Sequence, residues 1–219
     1  MPYDIFNGDA DGLCALQQLR LHRPLEDSHL VTGPKREVSL LRKIPLVDPT
    51  EITVLDISLR ANRSDAERLL QDGHRLTYID HHNCGPIPEH KNFISHIDTD
   101  PDVCTSVIVD QMLEGKYRDW AITAAFGDNL TDTAKTLAQK TNLNSSQVGK
   151  LQELGELLNY NGYGRKVEDL WFSPEELFRK MQEHQSPLDF YGQAPEFLTL
   201  REGYAEDLRM VFEENLNTL

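Results

Sequence analysis

Leu76-Thr77-Tyr78-Ile79-Asp80-His81-His82-Asn83 sets a carboxylate and two imidazoles directly behind an apolar run. The run reads as a strand, and the loop behind it offers hard oxygen and borderline nitrogen donors together. That mixture suits Mn, Zn or Fe. The stretch therefore predicts a metal site at the C-terminal end of a strand.

Three other acidic points have the same form. Tyr3 to Phe6 runs into Asn7-Gly8-Asp9-Ala10-Asp11-Gly12, Ile52 to Leu55 runs into Asp56, and Ala121 to Phe126 runs into Gly127-Asp128. In an open parallel sheet, ligands bind outside the carboxyl ends of the strands, so acids repeated there converge. Asp9, Asp11, Asp56, His81 and Asp128 are enough for two metals that share a bridging carboxylate. One acid after a strand means little, because such acids commonly cap helices. Four of them, with a His-His pair among them, exceed that reading.

Outward from these points, residues 1 to about 110 alternate short β-like runs with amphipathic helical stretches. That is the pattern of an α/β fold with a parallel sheet flanked by helices. Strands are expected at 3–6, 29–32, 52–55, 75–79 and 93–97, and helices at 12–21, 37–43, 60–71 and 103–113. From about 117 the chain reads as helices alone, at 117–126, 131–140, 146–158, 174–184 and 195–217. The expected division is an α/β metal-binding domain over 1–130, a helical extension packing on it over 131–192, and a linker-like C-terminal helix over 193–219.

Some boundaries have a local cause. Thr105 and Ser106 can cap a helix that starts near Val107, and Ser173-Pro174 followed by Glu175 and Glu176 marks another helix start. Asn159-Tyr160-Asn161-Gly162-Tyr163-Gly164 reads as a helix C-cap and turn, or as a loop where the backbone approaches a substrate. Phe197, Leu200, Tyr204, Leu208, Val211 and Phe212 form an apolar stripe at helical spacing that must cover something, in this chain or another.

With 219 residues, 39% of them hydrophobic, the chain can bury the core of one ordinary domain and a smaller appendage. No run of about 18 apolar residues occurs, and the N-terminus lacks a basic region followed by an apolar signal segment, so a soluble, cytoplasmic protein without membrane contact is expected. Cys14, Cys84 and Cys104 cannot all pair and read as thiols in a reducing compartment. The net charge of −14 argues against a broad footprint on duplex nucleic acid, which needs Lys and Arg to displace counterions. Small or short phosphoesters fit better as partners.

The motifs together resemble the DHH phosphoesterase family, whose relatives include RecJ-type exonucleases, oligoribonuclease/phosphoadenosine phosphatases, cyclic-dinucleotide phosphodiesterases and family II pyrophosphatases. Phe6-Asn7-Gly8-Asp9-Ala10-Asp11-Gly12 is similar to its first motif, Leu55-Asp56-Ile57-Ser58 to its second, Ile79-Asp80-His81-His82 to its third and Phe126-Gly127-Asp128-Asn129 to its fourth. Many members carry a His four residues before the first acid, where this chain has Ile5.

The resemblance implies that Asp9 and Asp56 hold one metal and that Asp11, Asp56, His81 and Asp128 hold the other, with Asp56 as the bridge. The implied cofactor is two Mn per chain, with Mg, Co or Fe as substitutes. A hydroxide held between two cations would attack a phosphoester in line. His82, Asp80 and Asp56 take the catalytic roles. His82 contacts the substrate phosphate or leaving oxygen, Asp80 fixes an imidazole tautomer, and Arg60 and Arg63 are candidate phosphate clamps.

Two other readings stay open. Asp9-Ala10-Asp11-Gly12 with Gly127-Asp128 to Asp132 also fits a haloacid-dehalogenase-like phosphatase, in which Asp9 is the nucleophile and Mg the metal. Alternatively the chain is a degenerate DHH module that binds nucleotide or metal and regulates a partner. Family members typically continue into a second, substrate-binding domain with a glycine-rich motif that is absent here. The chain then reads as a natural short member, a truncation, or a homodimer that completes its own cleft.

Overall fold

Successive strand residues point to opposite faces of a sheet, and here both faces are apolar. In the computed structural model, which describes residues 1–216 with side chains through residue 211, β1 (Tyr3–Phe6), β3 (Glu51–Leu55) and β4 (Arg75–Asp80) lie side by side. Their register aligns Ile5, Val54 and Tyr78 in one row and Phe6, Leu55 and Ile79 in the next. The two rows belong to two different buried clusters, one on each face. A parallel sheet must be covered on both sides, and this one is.

With β2 (His29–Val31) and β5 (Phe93–Ile97) the sheet has five strands, all parallel, in the order β2-β1-β3-β4-β5. The protein is α/β, a parallel sheet flanked by helices and followed by a helical C-terminal region. Helix α1 (Ala10–His22) joins β1 to β2 and buries Leu13, Cys14 and Leu16 on the Phe6 face. Helix α2 (Leu59–Gln71) joins β3 to β4 and buries Leu59, Ala66, Leu69 and Leu70 on the Ile5 face. Strand order thus reverses between β1 and β3, and a crevice opens where their C-terminal loops part.

The larger cluster runs from Phe6 to Leu200 and includes α3 (Thr105–Met112), α4 (Arg118–Gly127), α5 (Thr131–Ala138), α6 (Ser145–Asn161), α7 (Pro174–Met181), α8 (Pro187–Gln193) and α9 (Pro195–Leu216). Helix α4 is buried over nearly its whole length, from Trp120 to Phe126. It approaches its neighbours through small residues: a Cβ on Gly155 would lie 2.1 Å from the Thr123 carbonyl oxygen, and one on Gly127 would lie 2.4 Å from Ala10 Cβ. Those contacts hold the end of α4 against the start of α1.

Several expectations change. Residues 37–43 form no α-helix, only a 3-10 turn at Leu41–Lys43. Buried Asn62 explains this, because its Nδ2 donates to the Val38 carbonyl and its Oδ1 accepts the Leu41 N–H, which satisfies that backbone without a helix. The helix expected over 174–184 ends at Met181, and α8 follows as a separate helix with Ser186 Oγ accepting the Asp189 N–H. In α9, Phe197 and Leu200 are buried, while Tyr204, Leu208 and Val211 are exposed. Residue 217 and the Phe212 side chain lie outside the described residues. Among the described residues no helix is long and apolar enough to cross a membrane.

Candidate metal centre

The centre begins at the start of α1. Asp9 is its N-cap, and Oδ1 accepts the N–H groups of Asp11 and Gly12, both at 3.1 Å. Asp11, in the first turn, serves a different helix. Its two oxygens accept the N–H groups of Thr105 and Ser106, each at 2.7 Å, and Ser106 Oγ donates to its carbonyl at 2.8 Å. The first-turn donors of α3 are therefore satisfied by a carboxylate distant in the chain, not by Thr105 and Ser106 themselves. Both residues stand inside the helix, which starts at Thr105.

Asp56 leaves β3 with φ 57°. That left-handed conformation costs a non-glycine residue roughly 1–2 kcal/mol, and Asp and Asn tolerate it best. Its Oδ1 accepts from Thr105 Oγ1 at 3.3 Å and lies 3.4 Å from His81 Nε2. Burial pushes the Asp56 carboxyl well above the usual carboxylate range, and the charges of Asp9, Asp11, Asp80 and Asp128 push it further.

Strand β4 ends on Asp80, whose Oδ1 is 2.7 Å from His82 Nδ1. That hydrogen bond holds the His82 pKa above its ordinary value although burial opposes it. His81 Nε2, beside Asp56, also lies 3.9 Å from Asp128 Oδ2. Asp128 itself follows a helix and not a strand, being the C-cap of α4. Burial, then the charges of Asp11 and Asp9, push its pKa up to about 6. A helix C-terminus is electronegative, so this acid and the last α4 carbonyls favour a cation together.

Asp9, Asp11, Asp56, Asp80, His81, His82 and Asp128 thus meet where the β1, β3 and β4 loops part. The chain aligns with the crystal structure of exonuclease RecJ bound to manganese at TM-score 0.52 and 17% identity, over 98% of this chain and 63% of that one. The fold is RecJ-like. A crystal structure of an uncharacterized protein from Helicobacter pylori G27 also aligns, at TM-score 0.42 and 19% identity, over 73% of this chain and 56% of that one. No protein-family model and no curated protein matches the sequence.

Within this RecJ-like frame, among the described residues, two sets of side chains bring donor atoms within 4.8 Å of one another: Asp56, His81 and His82, and Asp11, His81 and Asp128. The sets share His81. A divalent cation fits them on two grounds. The donors are the oxygen and imidazole mixture that Mn, Fe or Zn takes, and buried carboxylates that repel one another are relieved by a cation between them. Asp80 Oδ2, also buried, has no hydrogen-bond partner among the described residues. Of the residues that the DHH resemblance assigns to metals, Asp9 stands outside both sets, whereas His82, assigned to substrate, stands inside one.

Lys35 was not legible as a site residue. It follows Gly33-Pro34 at the C-terminal end of β2, the strand beside β1, and its Nζ lies 2.8 Å from Asp9 Oδ2 and 3.5 Å from Asp128 Oδ1. Burial pulls the ammonium pKa down, but the charge and hydrogen bond of Asp9 outweigh that and hold it above the usual lysine value. The only sequence signal was its place in a loop behind a strand, on the side where the other loops carry acids.

The expected phosphate clamps stand apart. Arg60 is exposed in the first turn of α2, and Arg63 pairs with Glu67 at 3.4 Å. Neither makes a hydrogen bond or ion pair with the acid cluster among the described residues. Asp132, the second acid of the dehalogenase-like reading, is exposed on α5. Ile5, where many DHH members carry a His, is buried in the cluster on the α2 side of the sheet.

Proposed function

We propose that the protein is a divalent-metal-dependent phosphoester hydrolase, with Mn as the ion and a small nucleotide or short oligonucleotide as the substrate. One observation carries the reading: Asp11, Asp56, His81, His82 and Asp128 converge at the switch point of the sheet in two overlapping sets that share His81, each with donor atoms close enough to hold an ion. Its support from comparison is the RecJ-like fold. A cation there supplies Lewis acidity, polarising a phosphoryl oxygen and favouring ionisation of water.

The chain's own groups do the rest. Asp56 and His81 anchor the ion, and Asp11 braces the centre by tying α1 to the start of α3. Asp80 fixes the His82 ring through Nδ1, which leaves Nε2 to donate to a phosphate oxygen or to the departing oxygen. Lys35 offsets negative charge on the far side of the crevice. The net charge of −14 favours compact substrates over duplexes.

The test is hydrolysis of bis-p-nitrophenyl phosphate with added Mn, in the wild type and in Asp56→Asn. Mn-stimulated turnover that disappears together with Mn uptake in the variant is the expected result. Turnover that survives Asp56→Asn but requires Asp9 would point to dehalogenase-like chemistry. Mn uptake with no turnover on any phosphoester would leave a binding module.

A further inference from the structure

The ammonium group of Lys35 stands among the acids with a full set of partners. Nζ lies 2.8 Å from Asp9 Oδ2, 2.9 Å from Asn159 Oδ1 and 3.5 Å from Asp128 Oδ1, three oxygen acceptors for three N–H donors. Its backbone is held as well. The Lys35 N–H donates to the Gly162 carbonyl at 2.9 Å, and Asn7 Nδ2 reaches the Lys35 carbonyl at 3.5 Å. The ring of Tyr163 lies 5.6 Å from Nζ. Gly162 approaches so closely that a Cβ there would be 3.2 Å from the Asp9 Cα. The segment from Asn159 to Tyr163 thus packs around the Lys35–Asp9 pair.

Asp9 has little left for a metal. Oδ1 is taken by two backbone N–H groups of α1, and Oδ2 by Lys35. Asp9 belongs to neither set of candidate ligands, while Asp11, Asp56, His81, His82 and Asp128 each belong to one or both.

We propose that the centre takes a single divalent cation, on the His81 side, and that Lys35 Nζ is a built-in second positive charge where the Asp9–Asp56 pair would otherwise hold another ion. The inference rests on the metal-dependent reading above. An ammonium compensates Asp9, but it has no open position for a ligand and no Lewis acidity. Activation of water would then fall to one ion, with Lys35 as a fixed counter-charge.

The experiment is Mn stoichiometry by elemental analysis after equilibrium dialysis, with electron paramagnetic resonance on the same samples. Wild type, Lys35→Ala and Lys35→Arg are compared as full chains. Two Mn ions about 3.5–4 Å apart couple magnetically, so spin coupling reports the count independently of activity. One Mn per chain with an uncoupled spectrum is expected for wild type and Lys35→Arg. For Lys35→Ala, which frees Asp9 Oδ2 and Asp128 Oδ1, a rise toward two with a coupled spectrum is expected. Two coupled Mn in the wild type would overturn the inference and leave the metal-dependent reading standing. A count of one that does not change in Lys35→Ala would overturn Lys35 as the substitute. No Mn in the wild type would remove the metal-dependent reading and this inference with it.

Discussion

His82 Nδ1 is held 2.7 Å from Oδ1 of Asp80, the residue that ends β4, so the second imidazole of the pair is oriented by the strand that delivers it. The hydrogen bond favours the protonated ring. In chelated protein the His82 imidazole should titrate above its ordinary value of 6.5, and Asp80→Asn should bring it back down. Because the folded pKa is raised, the stability this pair contributes is full below about pH 6.5 and is lost as pH rises through the folded value. NMR titration of the imidazole in both proteins checks the shift. Turnover in Asp80→Asn should fall roughly 10–100-fold, as for other groups that orient a site imidazole.

Asp128 titrates at about 6, above the ordinary carboxylate value of 3.8. Its ionisation is disfavoured in the folded apo state, so its contribution to stability is present at acid pH and lost as pH rises through about 6. A cation reverses this, because it needs the ionised carboxylate. The Tm of chelated protein should therefore gain from this group between about pH 8 and about pH 5, whereas the Tm increase on adding Mn should shrink below about pH 6. Thermal melts with and without Mn across that range decide it.

Asp56 combines a left-handed backbone with a buried charge among like charges. Asparagine keeps the shape and tolerates the backbone, so Asp56→Asn should melt higher than wild type when both are metal-free, while losing Mn uptake. Alanine relieves the charge but meets the backbone cost, and Asp56→Ala should be less stable than Asp56→Asn by about 1–2 kcal/mol. Urea denaturation of the three chelated proteins orders them. If asparagine melts below wild type, the acids are not in conflict.

Gly127 lets the end of α4 lie on α1. A Cβ there would be 2.4 Å from Ala10 Cβ and 2.6 Å from the Gly155 carbonyl oxygen, and neither can turn aside. Gly127→Ala should cost about 1–3 kcal/mol by overpacking and weaken Mn binding by displacing the adjoining Asp128. Urea midpoints and Mn titration measure the two effects. Gly149→Ala serves as a control, since a Cβ there meets nothing within 4 Å.

How much of this was legible in the chain differs residue by residue. The five strands are local, short apolar runs that bury both faces in β1, β3 and β4 and form the edges in β2 and β5, and all five lie where the apolar runs place them. Asp56, His81 and His82 were legible for the same reason, since they lie directly behind such runs, as Asp80 ends one and Asp9 and Asp11 open the helix that follows another. Ser186-Pro187 carried the same helix-start signal as Ser173-Pro174, so α8 was present in the sequence although it was not read there.

Tertiary structure alone decided the rest, because the deciding partner lies far along the chain. Asn62 unmade the helix expected at 37–43 by binding Val38 and Leu41, and Asp11 took over the capping of α3 across 94 residues. The place of Asp128 depends on how closely α4 and α6 pack through Gly155. Lys35 is the clearest case. By itself it is a lysine after a Gly-Pro turn, and it becomes a partner of Asp9 only because β2 pairs with β1 and Asn159, at the end of α6, supplies another acceptor. Local alternation specifies which residues leave each strand toward the crevice; pairing order and helix packing, which are set by contacts between distant segments, specify which of them meet.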